Sequence, residues 1–194
     1  MLDSIIKYAQ INKVPIMLKD GIDYMCNYIK ENNIKNILEI GSAIGYSSIC
    51  MALTDKDIKI TTIEKDIDRY TIAVSNIDKF NLSDRINIIN MDALEYKTTS
   101  KYDLIFIDAS KGNNINFFNL FKDNLTTNGV IITDNLSFHG LVEDSTLIKT
   151  KNQRGIVNKI KLFIEFLDNN KEFTTIYIPV GDKIAISRKV ISNE

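Results

Sequence analysis

Short apolar runs alternate with segments of helical periodicity along most of this chain, and this alternation constrains the fold more than any other feature. Five runs are strand-like: Asn36–Ile40, Ile58–Ile63, Ile86–Ile89, Asp103–Ile107 and Val130–Thr133. The central runs are almost continuously apolar, as expected for strands that are buried on both faces. Helical patterns lie between them, at Tyr46–Leu53, Ile67–Phe80 and Asn114–Asn124. A parallel sheet covered by helices on both faces is therefore predicted.

The C-terminal part of the chain departs from this alternation. A helical pattern at Gly155–Asp168 is followed by two strand-like runs, Phe173–Ile178 and Lys183–Ser187. The short link between these runs favours an antiparallel hairpin at the sheet edge. A mostly parallel, seven-stranded α/β sheet with such a hairpin favours a Rossmann-like class I methyltransferase fold over a dehydrogenase fold. We interpret residues 1–194 as one domain that begins with two helices in residues 1–31.

Composition and charge exclude several classes of protein. Hydrophobic residues make up 44% and charged residues 25% of the chain, and no apolar stretch approaches the length of a membrane span. No secretory signal is visible and the two cysteines form no CxxC motif, so a cytoplasmic protein without membrane association is expected. The net charge of −1 gives no global sign of nucleic-acid binding. With a single histidine, a metal site would use oxygen ligands, which favours magnesium, calcium or manganese.

The loop Gly41–Gly45 follows the first predicted strand and leads into a helix. Glycine lets the backbone turn sharply and approach a ligand, and the helix N-terminus offers free N–H groups. Glu64 ends the second strand about 20 residues later, where a carboxylate can accept both hydroxyls of a ribose. Asp92 follows the third strand and could reach an adenine; a solvated turn is the alternative. NAD and S-adenosylmethionine would both use Gly41 and Glu64, but the incomplete glycine pattern and the hairpin favour S-adenosylmethionine.

Polar side chains end the fourth and fifth predicted strands. Asp108 follows one strand, and Asp134 and Asn135 follow the next. These strand ends neighbour each other in a parallel sheet, so the three side chains supply convergent oxygen ligands that suit Mg²⁺. The alternative is that they cap the segments that follow. Lys111 is close enough in sequence to act as a general base, since a nearby cation disfavours its ammonium form, or it is an ordinary surface lysine.

These residues indicate a particular chemistry. Transfer of a methyl group from a sulfonium requires a strong oxygen nucleophile placed in line and at close range. A divalent cation lowers the pKa of a coordinated hydroxyl and fixes its position. A substrate with two vicinal oxygens can chelate the cation through both. Catechols have this geometry, and so does 5-hydroxyuridine through its 5-hydroxyl and 4-carbonyl, so the predicted metal site does not separate the two substrates.

With these motifs the chain resembles the cation-dependent O-methyltransferases, a family that includes catechol and caffeoyl-CoA enzymes. The matching segments cover nearly the whole chain: VPIM (14–17), ILEIGSAIGYSS (37–48), TIE (62–64), DRI (84–86), DALE (92–95), YDLIFIDASKG (102–112), NFF (116–118), GVIITDN (129–135), FHGLV (138–142) and IPVGDKIAIS (178–187). The IFIDASKG and TDN segments are specific for the family. The VPIM, GLV and IPVGD segments favour the members that methylate 5-hydroxyuridine at the wobble position of tRNA.

The resemblance implies roles for individual residues. A metal would be held by Asp108, Asp134 and Asn135, with Lys111 and Asp108 as the catalytic residues. S-adenosylmethionine would be bound by residues of the first four strand ends: Glu39, Gly41, Ala43, Tyr46, Ser47, Glu64, Asp92, Ala93 and Asp108. The family also implies a homodimer. The expected reaction converts 5-hydroxyuridine to 5-methoxyuridine, and the alternative is O-methylation of small catechol-like or caffeoyl-type substrates.

A tRNA substrate would need a local cationic surface. Lys149, Lys151 and Arg154 lie close together just before the predicted last helix, and we expect them to contact phosphates of the anticodon loop. Phe138 could stack on the target base, as aromatic side chains do with single-stranded bases. The alternatives are a solvated loop for the three cations and simple packing for Phe138.

Overall fold

The computed structural model describes residues 1–190, and within them seven strands form one sheet in the order β3-β2-β1-β4-β5-β7-β6. The strands are β1 (Asn36–Ile40), β2 (Lys59–Glu64), β3 (Ile86–Asn90), β4 (Tyr102–Ile107), β5 (Leu125–Thr133), β6 (Phe173–Ile178) and β7 (Ile184–Lys189). The α-helices are α1 (Leu2–Asn12), α2 (Lys19–Glu31), α3 (Tyr46–Leu53), α4 (Ile67–Lys79), α5 (Asn114–Phe121) and α6 (Lys151–Asp168). None of these helices combines the length and apolarity needed to cross a bilayer.

Strand direction confirms the predicted fold class. Strands β1 to β5 are parallel, and β7 pairs antiparallel with both β5 and β6, so β7 alone of the seven runs against the others. The chain moves from β1 to β2 and β3 on one side and then crosses to β4 and β5 on the other. The order therefore reverses between β1 and β4, and ligands of such sheets bind at the carboxyl ends of the strands beside that point.

The apolar strands separate two hydrophobic cores. In β4, Leu104 and Phe106 contact the core under α1 to α4, while Ile105 and Ile107 contact the core under α5 and α6. All four side chains are fully buried. Successive side chains of a strand point to opposite faces, so a strand covered on both sides must be apolar at every position. This requirement explains the unbroken apolar runs of the sequence.

Several element boundaries differ from the sequence prediction by one to three residues, and two differ by more. Helix α6 begins at Lys151 rather than Gly155, because Thr150 and Gln153 form a capping box: Gln153 N donates to Thr150 Oγ1 (3.1 Å) and Thr150 N donates to Gln153 Oε1 (3.0 Å). Strand β5 begins at Leu125 rather than Val130. Its first residues are mostly polar and exposed, so the apolar pattern did not include them.

Candidate active site

A cavity of about 780 Å³ opens at the carboxyl ends of the central strands. Its wall is built from the loops that follow β1 to β5, from the segment before α2, from one side of α6 and from the β6–β7 turn. The wall includes most of the predicted site residues: Gly41, Ala43, Tyr46, Ser47, Glu64, Asp92, Ala93, Asp108, Lys111, Asn135 and Phe138. The fold therefore brings together side chains that come from five strand ends.

The glycine loop lies directly against the end of β4. Gly41 has a φ of 96°, and a Cβ on it would lie 2.7 Å from the carbonyl oxygen of Asp108. Glu64 secures the same loop from the other side, because Ala43 N donates to Glu64 Oε2 (2.8 Å). The second carboxylate oxygen, Oε1, accepts a hydrogen bond from Asp66 N (2.9 Å). Only glycine combines this backbone conformation with such close approach, and the contact links the predicted cofactor loop to Asp108.

Glu39 lies behind the glycine loop and is not part of the cavity wall. It is fully buried, and its carboxylate accepts hydrogen bonds from the hydroxyls of Ser47 (2.5 Å), Thr62 (2.5 Å) and Ser48. Burial raises the pKa of Glu39 to about 7, although the three hydroxyls act in the opposite direction. In this arrangement Glu39 supports the helix that carries Tyr46 and Ser47. Direct contact between Glu39 and a cofactor stays a prediction.

Asp92 and Ala93 form the cavity wall after β3. Asp92 Oδ1 accepts a hydrogen bond from Leu94 N (3.0 Å), which closes a short turn. Ala93 is buried, whereas Asp92 is half-buried and faces the cavity. This placement suits the predicted contact with an adenine, which itself stays a prediction.

The three predicted metal ligands meet at the ends of β4 and β5. These strands pair at Ile107 and Thr133, so Asp108 and Asp134 leave the sheet side by side. Asn135 Nδ2 donates to Asp134 Oδ2 (3.2 Å). Among residues 1–190 no group of three or more His, Cys, Asp and Glu side chains is arranged to hold a metal. The present set has two carboxylates and one amide, so it is not a group of that kind.

Asp134 supplies the test of whether a cation fits this cluster. Its side chain is 1% exposed, and Oδ1 has no hydrogen-bond partner among the described residues. A buried carboxylate oxygen without a partner is costly in free energy, and a cation would satisfy it. Burial raises the pKa of Asp134 to about 7, and the negative charge of Asp108 adds to this rise. The residues present therefore fit a hard divalent cation.

Lys111 closes the cluster on the cavity side. Its Nζ lies 3.1 Å from Asp108 Oδ1 and 3.3 Å from the carbonyl oxygen of Asp134. Burial raises the pKa of Asp108, and the Lys111 ammonium opposes that rise. Lys111 thus contacts the carboxylate of Asp108 and the backbone of Asp134, and it forms an ion pair with Asp108. Its action as a base stays a prediction.

The predicted RNA-binding residues occupy two different positions. Phe138 is half-buried in the cavity wall and has a φ of 49°, next to His139 with 57°. Lys149, Lys151 and Arg154 are exposed at the start of α6, outside the wall. These positions do not decide whether the residues bind RNA, so RNA binding stays a prediction.

Sequence reasoning missed two parts of the wall. Asp182, in the β6–β7 turn, is 5% exposed and faces the cavity, and its Oδ1 accepts a hydrogen bond from His139 N (2.6 Å). It thereby holds the loop that carries Phe138. The second part is Pro15–Leu18, between α1 and α2. The available signal for Asp182 was the hairpin itself, because pairing β7 with β5 brings the turn to the end of β5.

The two raised carboxyl pKa values predict how stability depends on pH. Between about pH 4 and pH 7, folded Asp134 and Glu39 hold protons that the unfolded chain has released, so rising pH favours unfolding. We expect the metal-free protein to melt at a lower temperature at pH 8 than at pH 5. Magnesium should raise the melting temperature more at pH 8, because a cation compensates the Asp108 and Asp134 charges.

Differential scanning fluorimetry in chelator and in Mg²⁺ measures both effects. The Asp134→Asn variant serves as the control, since it should lose part of the pH dependence and most of the response to Mg²⁺. A melting temperature that rises from pH 5 to pH 8 in chelator would contradict the assignment of these pKa values.

Comparisons with known proteins agree with this geometry. A family model described as O-methyltransferase matches residues 3–190. Caffeoyl-CoA O-methyltransferase 2 of Petunia hybrida is 31% identical over 185 residues, which are 88% of this chain and 75% of the relative.

Two solved structures extend the likeness to three dimensions. A Staphylococcus aureus protein, provisionally named a caffeoyl-CoA O-methyltransferase, superposes with a TM-score of 0.93 at 36% identity, covering 97% of this chain and 92% of that chain. An O-methyltransferase from Bacillus cereus, solved in complex with SAH, superposes with a TM-score of 0.81 at 26% identity, covering 97% and 90%. The residues that the family model matches include the glycine loop, the Asp108 and Asp134 strand ends and the C-terminal hairpin. This chain therefore belongs to the S-adenosylmethionine-dependent O-methyltransferase family, of the caffeoyl-CoA O-methyltransferase type.

Proposed function

We propose that this protein transfers the methyl group of S-adenosylmethionine to a hydroxyl of a substrate with two vicinal oxygens, assisted by a divalent cation such as Mg²⁺. The observation that carries the proposal is the buried Oδ1 of Asp134, which lies beside Asp108 and has no hydrogen-bond partner in the described part of the chain. Asp108 lines the same cavity as the glycine loop, and Asp134 follows the neighbouring strand, just outside the cavity wall. The proposed cofactor site and the proposed metal site would therefore meet at Asp108, as methyl transfer to a chelated oxygen requires.

Each residue of the cluster has a role in the proposed reaction. Asp108, Asp134 and Asn135 would hold the cation, which when bound lowers the pKa of a substrate hydroxyl. Lys111 Nζ would take the hydroxyl proton. The Lys111 ammonium now forms an ion pair with Asp108. If Asp108 held a cation, this ion pair would be lost, and Lys111 would release a proton to solvent before its Nζ accepts the substrate proton. The substrate oxygen then bonds to the methyl carbon as the carbon–sulfur bond breaks, leaving a methyl ether and S-adenosylhomocysteine.

The first candidate substrate is a catechol of the caffeoyl type. The described relatives support it, since the Petunia hybrida protein is named for this substrate and matches most of the chain. The cavity also has the volume of a site for a small ligand beside a cofactor.

The second candidate is 5-hydroxyuridine in the anticodon loop of tRNA, at the wobble position. Two observations support it: Phe138 lies in the cavity wall, and the exposed Lys149, Lys151 and Arg154 begin the helix that forms one side of the cavity. A wobble base is already single-stranded, so little unstacking energy opposes its insertion.

A methylation assay with matched substrates separates the candidates. Purified protein is incubated with S-adenosylmethionine and Mg²⁺, and with caffeate, caffeoyl-CoA or an anticodon stem-loop that contains 5-hydroxyuridine. We expect a methyl ether on at least one of these substrates, detected by mass spectrometry, and loss of the product in EDTA. Coumarate and an unmodified uridine stem-loop, which lack the vicinal pair, should stay unmethylated.

The outcomes distinguish the substrate from the mechanism. Methylation of caffeate or caffeoyl-CoA alone assigns the first candidate. Methylation of the stem-loop alone assigns the second, and tRNA from a deletion strain should then lose 5-methoxyuridine and accumulate 5-hydroxyuridine. Full activity in EDTA, or no product from any substrate, would contradict the proposed function.

A further inference from the structure

Helix α6 concentrates positive charge beside the cavity. Residues 149–164 include five cationic side chains and no acidic one, although the net charge of the chain is −1. The five are Lys149, Lys151, Arg154, Lys159 and Lys161. None of them belongs to an ion pair within the described part of the chain. A local field of one sign, not neutralised within the protein, attracts anionic ligands.

One row of α6 connects this charge to the cavity. Lys151, Gly155 and Lys159 are spaced four residues apart, so they lie along one side of the helix over about 12 Å. Lys159 lines the cavity, and a Cβ on Gly112 would lie 3.0 Å from its Nζ. The ammonium of Lys159 is therefore placed over the turn that begins at Lys111. The row leads from the mouth of the cavity to the start of the helix.

Gly155 is a second feature that points to a ligand. Gly155 lies inside α6, where glycine stabilises a helix less than alanine does. A Cβ added to Gly155 would meet no atom of the described residues within 4 Å. No neighbour within the described residues therefore requires a glycine. Glycine is also used where a ligand must come close to the backbone. Gly155 lies between Lys151 and Lys159, and neither lysine forms an ion pair within residues 1–190, so a ligand lying along the row would be an anion.

We propose that the row Lys151, Gly155 and Lys159 binds the phosphate groups of the methyl acceptor, with Lys159 contacting the phosphate nearest to the methylated group. The inference rests on the proposed function, because it needs an acceptor in the cavity. Both candidate acceptors carry phosphate esters: an RNA strand has them in its backbone, and a CoA thioester has them in its CoA part. The glycine allows the phosphate chain to lie against the helix between the two ammonium groups.

A pair of lysine variants tests the row. Lys159→Ala is compared with Lys161→Ala, an exposed lysine of the same helix that does not line the cavity. We expect Lys159→Ala to raise KM about tenfold or more for a phosphate-bearing acceptor, with a much smaller change in kcat. The effect on the matching phosphate-free acceptor should be at least fivefold smaller. The Lys161→Ala variant removes one charge of the local field but no residue of the row, so it should change KM much less than Lys159→Ala does.

The acceptors are chosen in pairs so that the source of the phosphate is identified. The anticodon stem-loop is paired with 5-hydroxyuridine nucleoside, and caffeoyl-CoA with caffeate. A selective loss in the first pair assigns the row to RNA, and the slope of log affinity against log salt should then fall by about one. A selective loss in the second pair assigns it to CoA. Equal KM changes within each pair would overturn the proposal.

Gly155 gives an independent measurement. Gly155→Gln should raise the melting temperature, because glutamine favours helix, and should also raise KM for the phosphate-bearing acceptor by obstructing its approach. Gly155→Ala should raise the melting temperature with a smaller change in KM. A more stable Gly155→Gln variant with unchanged KM would contradict the role of this glycine. If the unaltered protein methylates no acceptor, the proposed function fails; anisotropy with labelled stem-loop and competition by CoA then still test the row.

Discussion

Replacing Asp134 with asparagine is expected to lower the rate of methyl transfer by about 10³-fold, equivalent to about 4 kcal/mol of transition-state free energy. The side chains have nearly the same shape, but asparagine lacks the negative charge that a divalent cation requires. Asp134 is buried beside Asp108, and its Oδ1 has no partner among the described residues that could compensate. The measurement is kcat at saturating Mg²⁺ and S-adenosylmethionine, with whichever acceptor the unaltered protein methylates.

Two controls separate loss of the metal from loss of the fold. Asp144→Asn makes the same chemical change at an exposed position, where the carboxylate only accepts from Thr146, and should leave kcat unchanged. The Asp134→Asn variant should still bind S-adenosylmethionine within a few-fold of the original affinity by calorimetry, because Asp134 lies outside the glycine-loop wall. Activity within tenfold of the unaltered protein would exclude Asp134 as a metal ligand.

Replacing Gly41 with alanine is expected to weaken S-adenosylmethionine binding by about 10²-fold and to reduce methyl transfer further. The new Cβ would lie 2.7 Å from the carbonyl oxygen of Asp108 and 3.1 Å from Ala109 Cα. Both are backbone atoms, so the glycine loop, the end of β4 or both must move. A displacement of about 1 Å at a reacting site can cost about 10²-fold in rate. The change therefore disturbs the cofactor loop and a metal ligand together.

Gly140→Ala is the matched control for backbone strain. Gly140 has a φ of 83°, close to the 96° of Gly41, but a Cβ there would meet no atom of residues 1–190 within 4 Å. The Gly140→Ala variant should lose about 1 kcal/mol of stability, which is the cost of holding alanine in the left-handed conformation. The difference in melting temperature between the two variants measures the collision with Asp108. Equal effects on stability and unchanged cofactor affinity in Gly41→Ala would show that the loop does not need this close approach.

Local patterns in the sequence were sufficient to predict the strands of the sheet and part of the candidate active site. The predicted bounds of β1, β6 and α3 agree with the structure, because strong apolar periodicity and turn residues define them. The meeting of Asp108 with Asp134 also followed from the pattern. Adjacent parallel strands bring their carboxyl ends to one edge, so polar residues at those ends become neighbours without any further information.

Other features depended on contacts between distant segments. Asp182 reaches the cavity only because β7 inserts between β5 and β6, a strand order that local periodicity does not specify. The resemblance implies a cofactor contact for Glu39, whereas its burial and its hydrogen bonds from three hydroxyls became visible only in the structure. The sequence does not distinguish Lys159 from the other lysines of this segment. Only the packing of α6 places its Nζ beside Gly112.

The sequence by itself determined which strands are buried and which polar residues end them, since side-chain alternation and strand direction are local properties of the chain. Tertiary structure alone decided which of those polar groups are desolvated. Asp134 and Glu39 are both carboxylates at strands, and only packing by residues far along the chain raises their pKa values to about 7. Desolvation depends on everything that surrounds a group, so no local pattern in the sequence contains it.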